Sequence, residues 1–269
     1  MSAMVMLVSW LMPQRGVFGL CFVGVRSSML VSAYGRTSCV LQVLTFFALG
    51  CAVAGGLWWG LGDPRFALLG LIPVAFGLFV LSFYRDPERT GPSNPELCLS
   101  PADGVVTDIC EVDEPSYLGG KATRVGIFLS PLNVHVNRVS LAGTVEKVVH
   151  KEGLCLAATT PKCIDANESM LLGLRVNDSV RIALRQVTGA LARSIVVGVE
   201  AGVSLERGQR YGMIKLGSRT ELLVPVDLEF APAVEIGDAV RGGETVLGRI
   251  PRLAPGERAH EPARQEEAA

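Results

Sequence analysis

The sequence predicts an N-terminal transmembrane helical hairpin followed by a mainly β (α+β) domain, on three observations. Residues 37–62 carry no charged side chain, residues 66–83 carry none either, and beyond Leu97 the apolar runs become short, β-branched and punctuated by Gly, Asp and Pro. The chain of 269 residues has room for both parts. A net charge of -1 and a pI near 6.3 give no sign of a nucleic-acid partner. Charge is nevertheless uneven: no Asp or Glu precedes Asp63, while Arg15, Arg26 and Arg36 stand ahead of it, as in membrane-proximal sequence. Seven cysteines without a C-x-x-C pair argue against a disulfide framework and a zinc ribbon, and fit a reducing compartment.

Residues 1–36 form an apolar extension with scattered Arg and Gly. Its basic residue sits too far in for a cleaved signal peptide, and another long apolar run follows at once; a start at Met29 fits equally well. Residues 37–84 hold the hairpin. Val40 to Leu61 is 22 residues long, against the ~20 that a spanning helix needs. Gly62-Asp-Pro-Arg65 breaks it, and Phe66 to Phe83 supplies a second run. Arg26 and Arg36 before the pair, with Arg85 and Arg89 after it, put both flanks on the cytoplasmic face of the cell membrane. A buried helical hairpin in a soluble core is the other reading of these runs.

Residues 85–96, charged and proline-rich, read as a linker. The β-rich domain spans 97–253, with expected strands at Gly104–Val112, Arg124–Leu129, Gly143–Val149, Val180–Val187 and Ser194–Val199. Val234 to Gly248 runs strand, Gly-Asp turn, strand, Gly-Gly-Glu, and resembles barrel-sandwich hybrid domains of the biotinyl and lipoyl carrier type, in fold only. The Pro-, Glu- and Ala-rich tail 254–269 is expected to be disordered.

Chemistry has few carriers. Between the β-type runs Met213–Leu216 and Thr220–Val224 stands Gly217-Ser218, a common hairpin corner that, beside a base, also presents a nucleophilic hydroxyl. Of three histidines, His260 lies in the tail, which leaves His135 and His150 as bases. His135 sits among polar residues in Phe128-Leu-Ser-Pro-Leu-Asn-Val-His-Val-Asn-Arg138, a pattern that a strand with one solvated face also gives. His150 precedes a Lys-Glu-Gly turn and ranks second. Ser100-Pro-Ala-Asp-Gly104 is by itself an ordinary tight turn. No metal-ligand spacing or phosphate-binding glycine loop is present.

Taken in order, Phe83-Tyr-Arg-Asp-Pro-Glu-Arg89, the Ser100–Gly104 and Phe128–Arg138 segments and Gly212-Met-Ile-Lys-Leu-Gly-Ser-Arg219 resemble the phosphatidylserine decarboxylase proenzyme family, in its short form with a Gly-Ser cleavage site. The resemblance runs from about Tyr84 to Ile250. It implies self-cleavage between Gly217 and Ser218, with Ser218 becoming a pyruvoyl group that forms a Schiff base with the substrate amine. It further implies His135 as general base, with Asp103 orienting it. The implied substrate is phosphatidylserine in a bilayer, the product phosphatidylethanolamine, and the enzyme a heterodimer of its own two fragments, with a higher oligomer left open. Arg138, Lys215 and Asn137 are candidate substrate ligands, as are Arg85 and Arg89 for the lipid phosphate. Ser169-Met170 departs from the family's usual Arg-Asn. A non-catalytic membrane adaptor and a pyruvoyl decarboxylase of a soluble amino acid are the rival readings.

Overall fold

The computed structural model describes residues 31–156, 166–189, 194–215 and 218–253. Residues 1–30, the tail 254–269 with His260, and Gly217 lie outside the described residues, so the expectations placed on them are not addressed.

Helix α1 (Arg36–Leu61) closes on Gly62, whose φ of 68° lets its N–H reach the Trp58 carbonyl. A 3-10 turn (Pro64–Gly70) follows, started by Pro64 and by the Asp63 carboxylate accepting the Arg65 N–H at 2.9 Å. It leads into α2 (Leu71–Phe83). The second apolar run, expected as one helix, is thus a 3-10 turn plus an α-helix. Both α1 and the stretch Pro64–Phe83 are long and apolar enough to cross a membrane. Their backbones meet at glycine: a Cβ on Gly70 would lie 2.5 Å from the Gly50 carbonyl oxygen. Phe46 and Phe76 pack edge to face beside this contact. Most large side chains of the hairpin, including Trp58, Trp59, Leu68 and Ile72, face outward, as lipid-facing surface does.

The β domain comprises β1 (Leu97–Leu99), β2 (Gly104–Glu114), β3 (Gly120–Leu129), β4 (Val136–Arg138), β5 (Gly143–Lys151), β6 (Ser169–Arg175) and β7 (Arg181–Val187). It continues with β8 (Ser194–Val197), β9 (Ser204–Leu205), β10 (Arg210–Lys215), β11 (Ser218–Pro225), β12 (Ala231–Pro232), β13 (Ala239–Val240) and β14 (Val246–Arg249). Eight strands form one curled half-barrel in the order β13-β2-β3-β11-β7-β6-β5-β9, and every pairing is antiparallel. Two small sheets, β4-β10-β8 and β1-β14-β12, stand beside it. The concave face buries Val125, Ile127, Leu172, Leu184 and Leu222 in the main core. Strand β6 escapes sequence reading because it lies between β5 and β7, and its apolar residues do not alternate. In the Val234–Gly248 stretch only β13 and the start of β14 are strand; the Asp238 carboxylate caps the Glu235 N–H and ties 235–238 into a turn.

The convex face carries an ionic network. Alternation along β11 sends Ser218, Thr220 and Leu222 inward and Arg219 and Glu221 to the other side. Glu221, fully buried, accepts Arg219 Nε at 2.6 Å and Arg185 Nε at 2.6 Å, with Arg124 Nε at 3.8 Å. Arg219 also holds Asp108 and the Thr107 hydroxyl, and Asp108 takes Arg124 Nε at 2.8 Å. These arginines hold the Asp108 carboxyl below its usual range against the opposing effect of burial, the largest single influence on it. Gly126 makes the room, since a Cβ there would overlap the Arg219 guanidinium. One carboxylate therefore joins β3, β11 and β7. Glu221→Ala should lower the stability of the full chain in detergent by about 3–5 kcal/mol, because it strands buried arginines. Arg241→Ala, at an exposed position, should leave the denaturant midpoint unchanged.

Candidate active site

Ser218 is the first residue of β11 and pairs with Leu129, the last of β3. Its side chain is buried, and its Oγ has no hydrogen-bond partner among the described residues. Leaving such a hydroxyl unsatisfied costs about 1–3 kcal/mol.

The chain after Leu129 is folded back over this point. Asn133 donates its N–H to the Ser130 carbonyl at 2.9 Å, and its side-chain oxygen accepts the Ser130 N–H at 2.8 Å. The turn delivers β4 to β10, with Val136 opposite Met213 and Asn137 opposite Gly212. Two contacts of this segment bracket the 217–218 joint. On one side Ile214 donates its N–H to the His135 carbonyl at 3.3 Å; on the other Asn137 Nδ2 donates to Thr220 Oγ1 at 3.0 Å.

His135 is buried, with its ring centroid 4.3 Å from that of Phe83 at the end of α2. Its Nδ1 donates to the Asn133 carbonyl at 2.9 Å, which leaves Nε2 of the neutral ring with the lone pair. Burial pushes the imidazole down to about 4; the Asn133 carbonyl opposes this, Arg85 adds to it, and Asp103 opposes it weakly. The ring is therefore neutral near pH 7. Asp103 has other partners: Arg89 grips both its oxygens, one at 2.7 Å from Nη2, and the Gly242 N–H reaches Oδ1 at 2.8 Å. The sequence expectation has Asp103 orienting His135; the Asp103 charge acts on the ring electrostatically, and the Asn133 carbonyl accepts from Nδ1.

The phosphatidylserine decarboxylase family model matches residues 76–248, which takes in β11, the 130–138 turn and Asp103. The chain belongs to the phosphatidylserine decarboxylase family. Proteins named phosphatidylserine decarboxylase proenzyme are similar to this chain over most of its length. That of Salinibacter ruber is 46% identical over 179 residues, covering 64% of this chain and 76% of the relative. That of Symbiobacterium thermophilum is 44% identical over 184 residues, 68% and 85% of the two chains. The Chlorobium luteolum protein is 39% identical over 220 residues, 82% of this chain and all of its own. The chain is accordingly a decarboxylase proenzyme of phosphatidylserine metabolism. The adaptor and soluble amino-acid decarboxylase readings find no support.

The family's other candidate residues divide by environment. Asn137 is buried and engaged by Thr220, Gln186 and Pro101. Arg138 is gripped by Asp86, the Pro87 carbonyl and the Gly208 carbonyl. Lys215 is buried and donates to Ser38 Oγ at 3.1 Å, and desolvation lowers its pKa, while Arg85 donates to the Ser82 and Leu132 carbonyls. His150 lies on β5, three strands from β11, with Glu168 at 2.9 Å, as a surface histidine would. Ser169 and Met170, the departure from the family pattern, open β6. No cluster of metal-ligating side chains occurs among the described residues.

Sequence reasoning missed three residues. Phe83 covers the His135 ring, Asn133 sets its tautomer, and Asp86 joins Arg138 to Arg210, whose Nε lies 2.8 Å away. Only Asp86 left a signal, as an acid inside Arg85-Asp-Pro-Glu-Arg89.

The depressed imidazole has a definite pH signature. Folded His135 binds fewer protons than the unfolded chain between its ordinary 6.5 and about 4, so it costs stability as pH falls through that window. His135→Gln should flatten the loss of stability from pH 6.5 to 4 in denaturant titrations of the full chain. Wild-type self-cleavage should stay level down to about pH 5, without the break near 6.5 that an exposed histidine would give.

Proposed function

We propose that the bond between Gly217 and Ser218 is cut by the Ser218 hydroxyl and that residue 218 becomes the enzyme's pyruvoyl group. The observation that carries this reading is the buried Ser218 Oγ, unpartnered among the described residues, at the one joint that His135 and Asn137 bracket. A group made in place from residue 218 fits there, because β11 is anchored on both edges and by Glu221.

His135 Nε2 takes the Ser218 proton and the alkoxide attacks the Gly217 carbonyl carbon. The imidazolium returns its proton to the residue-218 nitrogen as the carbon–nitrogen bond breaks, so the amide becomes an ester. His135 next removes the Cα proton of residue 218, and the ester oxygen leaves with the electron pair as the Gly217 carboxylate. Water then replaces nitrogen on the resulting dehydroalanine, releasing ammonia and leaving a ketone. The pyruvoyl group supplies a carbonyl for the substrate amine and an acceptor for the electrons left when carbon dioxide departs. Lys215 binds the substrate's phosphate, Asn137 and Arg138 position the strand that carries the site, and His135 holds the proton returned to the substrate carbon. Asp103 supports His135 through its charge.

In the same reading α1 and α2 span the bilayer, the β domain lies on the cytoplasmic side, and the short C-terminal strands form a barrel-sandwich hybrid. Arg36, Arg85 and Arg89 flank the hairpin on that side, and a lipid substrate is brought into the plane of the enzyme.

Wild-type chain should appear on denaturing gels as a fragment ending at Gly217 and one beginning at residue 218, which separate only on denaturation. Ser218→Ala should remain one inactive chain, and Ser218→Cys should cleave slowly, since a thiol makes the same acyl shift. His135→Ala should slow cleavage more than Asp103→Asn. Full decarboxylase activity in uncleaved Ser218→Ala would contradict this reading. Protease added to inside-out vesicles should digest the β domain, and digestion only in right-side-out spheroplasts would reverse the orientation.

A further inference from the structure

A buried cluster of amides ties together the segments of the candidate site. Gln186 of β7 is fully buried and stands opposite Thr220 of β11, so both side chains share the inward face that carries Ser218. Its Nε2 donates to Asn137 Oδ1 at 2.7 Å. Asn137 Nδ2 in turn donates to Thr220 Oγ1 at 3.0 Å and to the Pro101 carbonyl at 3.4 Å. The last contact sets the orientation of both amides. A carbonyl only accepts, so Asn137 presents its nitrogen to Pro101 and its oxygen to Gln186, which must donate. Gln186 Oε1 is left without a partner, and the bond to Asn137 is the one hydrogen bond of this side chain among the described residues. Thr220 lies two residues after Ser218, Asn137 two after His135 and Pro101 two before Asp103. The Arg138 N–H adds a second bond to the Pro101 carbonyl at 2.9 Å. Asn137 is thus one joint of the three segments that carry the candidate nucleophile, base and carboxylate, and Gln186 reaches it from a fourth.

We propose that Gln186 is a positioning residue for self-cleavage: by donating to Asn137 it fixes the amide that holds the His135 segment against the Ser218 strand. The proposal rests on the self-cleavage reading above and adds to it a residue that acts through another. Without the Gln186 donor, Asn137 Oδ1 is buried and unsatisfied. The amide then turns or shifts to find a donor, and a full turn sets its oxygen against the Pro101 carbonyl. Either movement displaces β4, and with it the segment that carries His135. Transfer of the Ser218 proton to His135 requires the two groups to come within hydrogen-bond reach, and a displacement of ~1 Å costs up to about a hundred-fold in rate. Gln186 acts on that alignment and not on the proton itself.

The test follows freshly synthesised, pulse-labelled full-length chain in detergent and reads cleavage as loss of the intact chain on denaturing gels. Gln186→Met keeps the length of the side chain but donates nothing. Gln186→Glu donates only while its carboxyl is protonated, and burial raises the pH at which it ionises. Leu174→Ala truncates the core at the far end of β6 from Ser169 and reports what lost stability alone does. The stability of each variant is read as a denaturant midpoint in the uncleavable Ser218→Ala background. Gln186→Met should cleave about ten-fold or more slower than wild type at every pH. Gln186→Glu should stay intact at about pH 9 and, after a jump to about pH 5.5, cleave within about three-fold of the wild-type rate. Leu174→Ala should lose at least as much stability as Gln186→Met and still cleave within about two-fold of wild type. Cleavage of Gln186→Met within about two-fold of wild type would overturn the proposal. Equal slowing of Gln186→Met and Leu174→Ala at matched midpoints, or a Gln186→Glu rate that is the same at both pH values, would overturn it as well. Where the ionised Gln186→Glu chain fails to fold, the uncharged Gln186→Met decides. A wild-type chain that stays intact would instead refute the self-cleavage reading on which the proposal rests.

Discussion

Strand β11 is held on both edges and from beneath, and the rest of the site depends on that restraint. Ser218 to Pro225 pair with β3 along their whole length, and Arg219 to Leu223 pair with β7. Glu221 adds arginines from β7 and β11 itself. A chain cut immediately ahead of an ordinary edge strand would let the new end fray, because terminal residues have little to lose by opening. Here the first residue after the proposed cut begins a strand in the middle of an eight-stranded sheet. The proposed cleavage can therefore change the chemistry of residue 218 while its neighbours keep their places.

The second constraint is the seam between hairpin and β domain. Phe83 covers the His135 ring, Arg85 reaches the Leu132 carbonyl, Asp86 holds Arg138 and Arg210, and Arg89 grips Asp103. Four residues of Phe83–Arg89, where the chain leaves α2, thus reach four parts of the β domain. The desolvation that keeps His135 neutral comes in part from the hairpin, so the histidine and the apolar helices belong to one construction. Ser38 and Lys215 join the same two parts through the first turn of α1, at the same base of the hairpin.

Long uncharged runs made the hairpin legible, since little besides a bilayer or a deep core tolerates them, and β-branched runs bounded by Gly and Asp located β2, β3, β7 and β11 to within a few residues. The 3-10 turn at Pro64 was hidden because its apolar composition is that of a helix. The linker 85–96 reads as solvated chain, yet Asp86 and Arg89 are buried in ion pairs; composition alone does not separate a charge facing water from one facing its partner across the fold. Ser218, His135 and Asp103, the residues proposed to act, were drawn from their motifs. The role of Asn133 was not, because a backbone carbonyl carries no side-chain signature.

The central claim is that residue 218 ceases to be serine when the chain is cut. Intact mass measurement of the small fragment, separated from purified wild-type enzyme under denaturing conditions, tests it without any substrate. The account predicts a fragment beginning at residue 218 that is lighter by one ammonia than the same peptide with an N-terminal serine, and that gains mass with a carbonyl-specific hydrazide. A fragment with an unaltered N-terminal serine in fully active enzyme would contradict it.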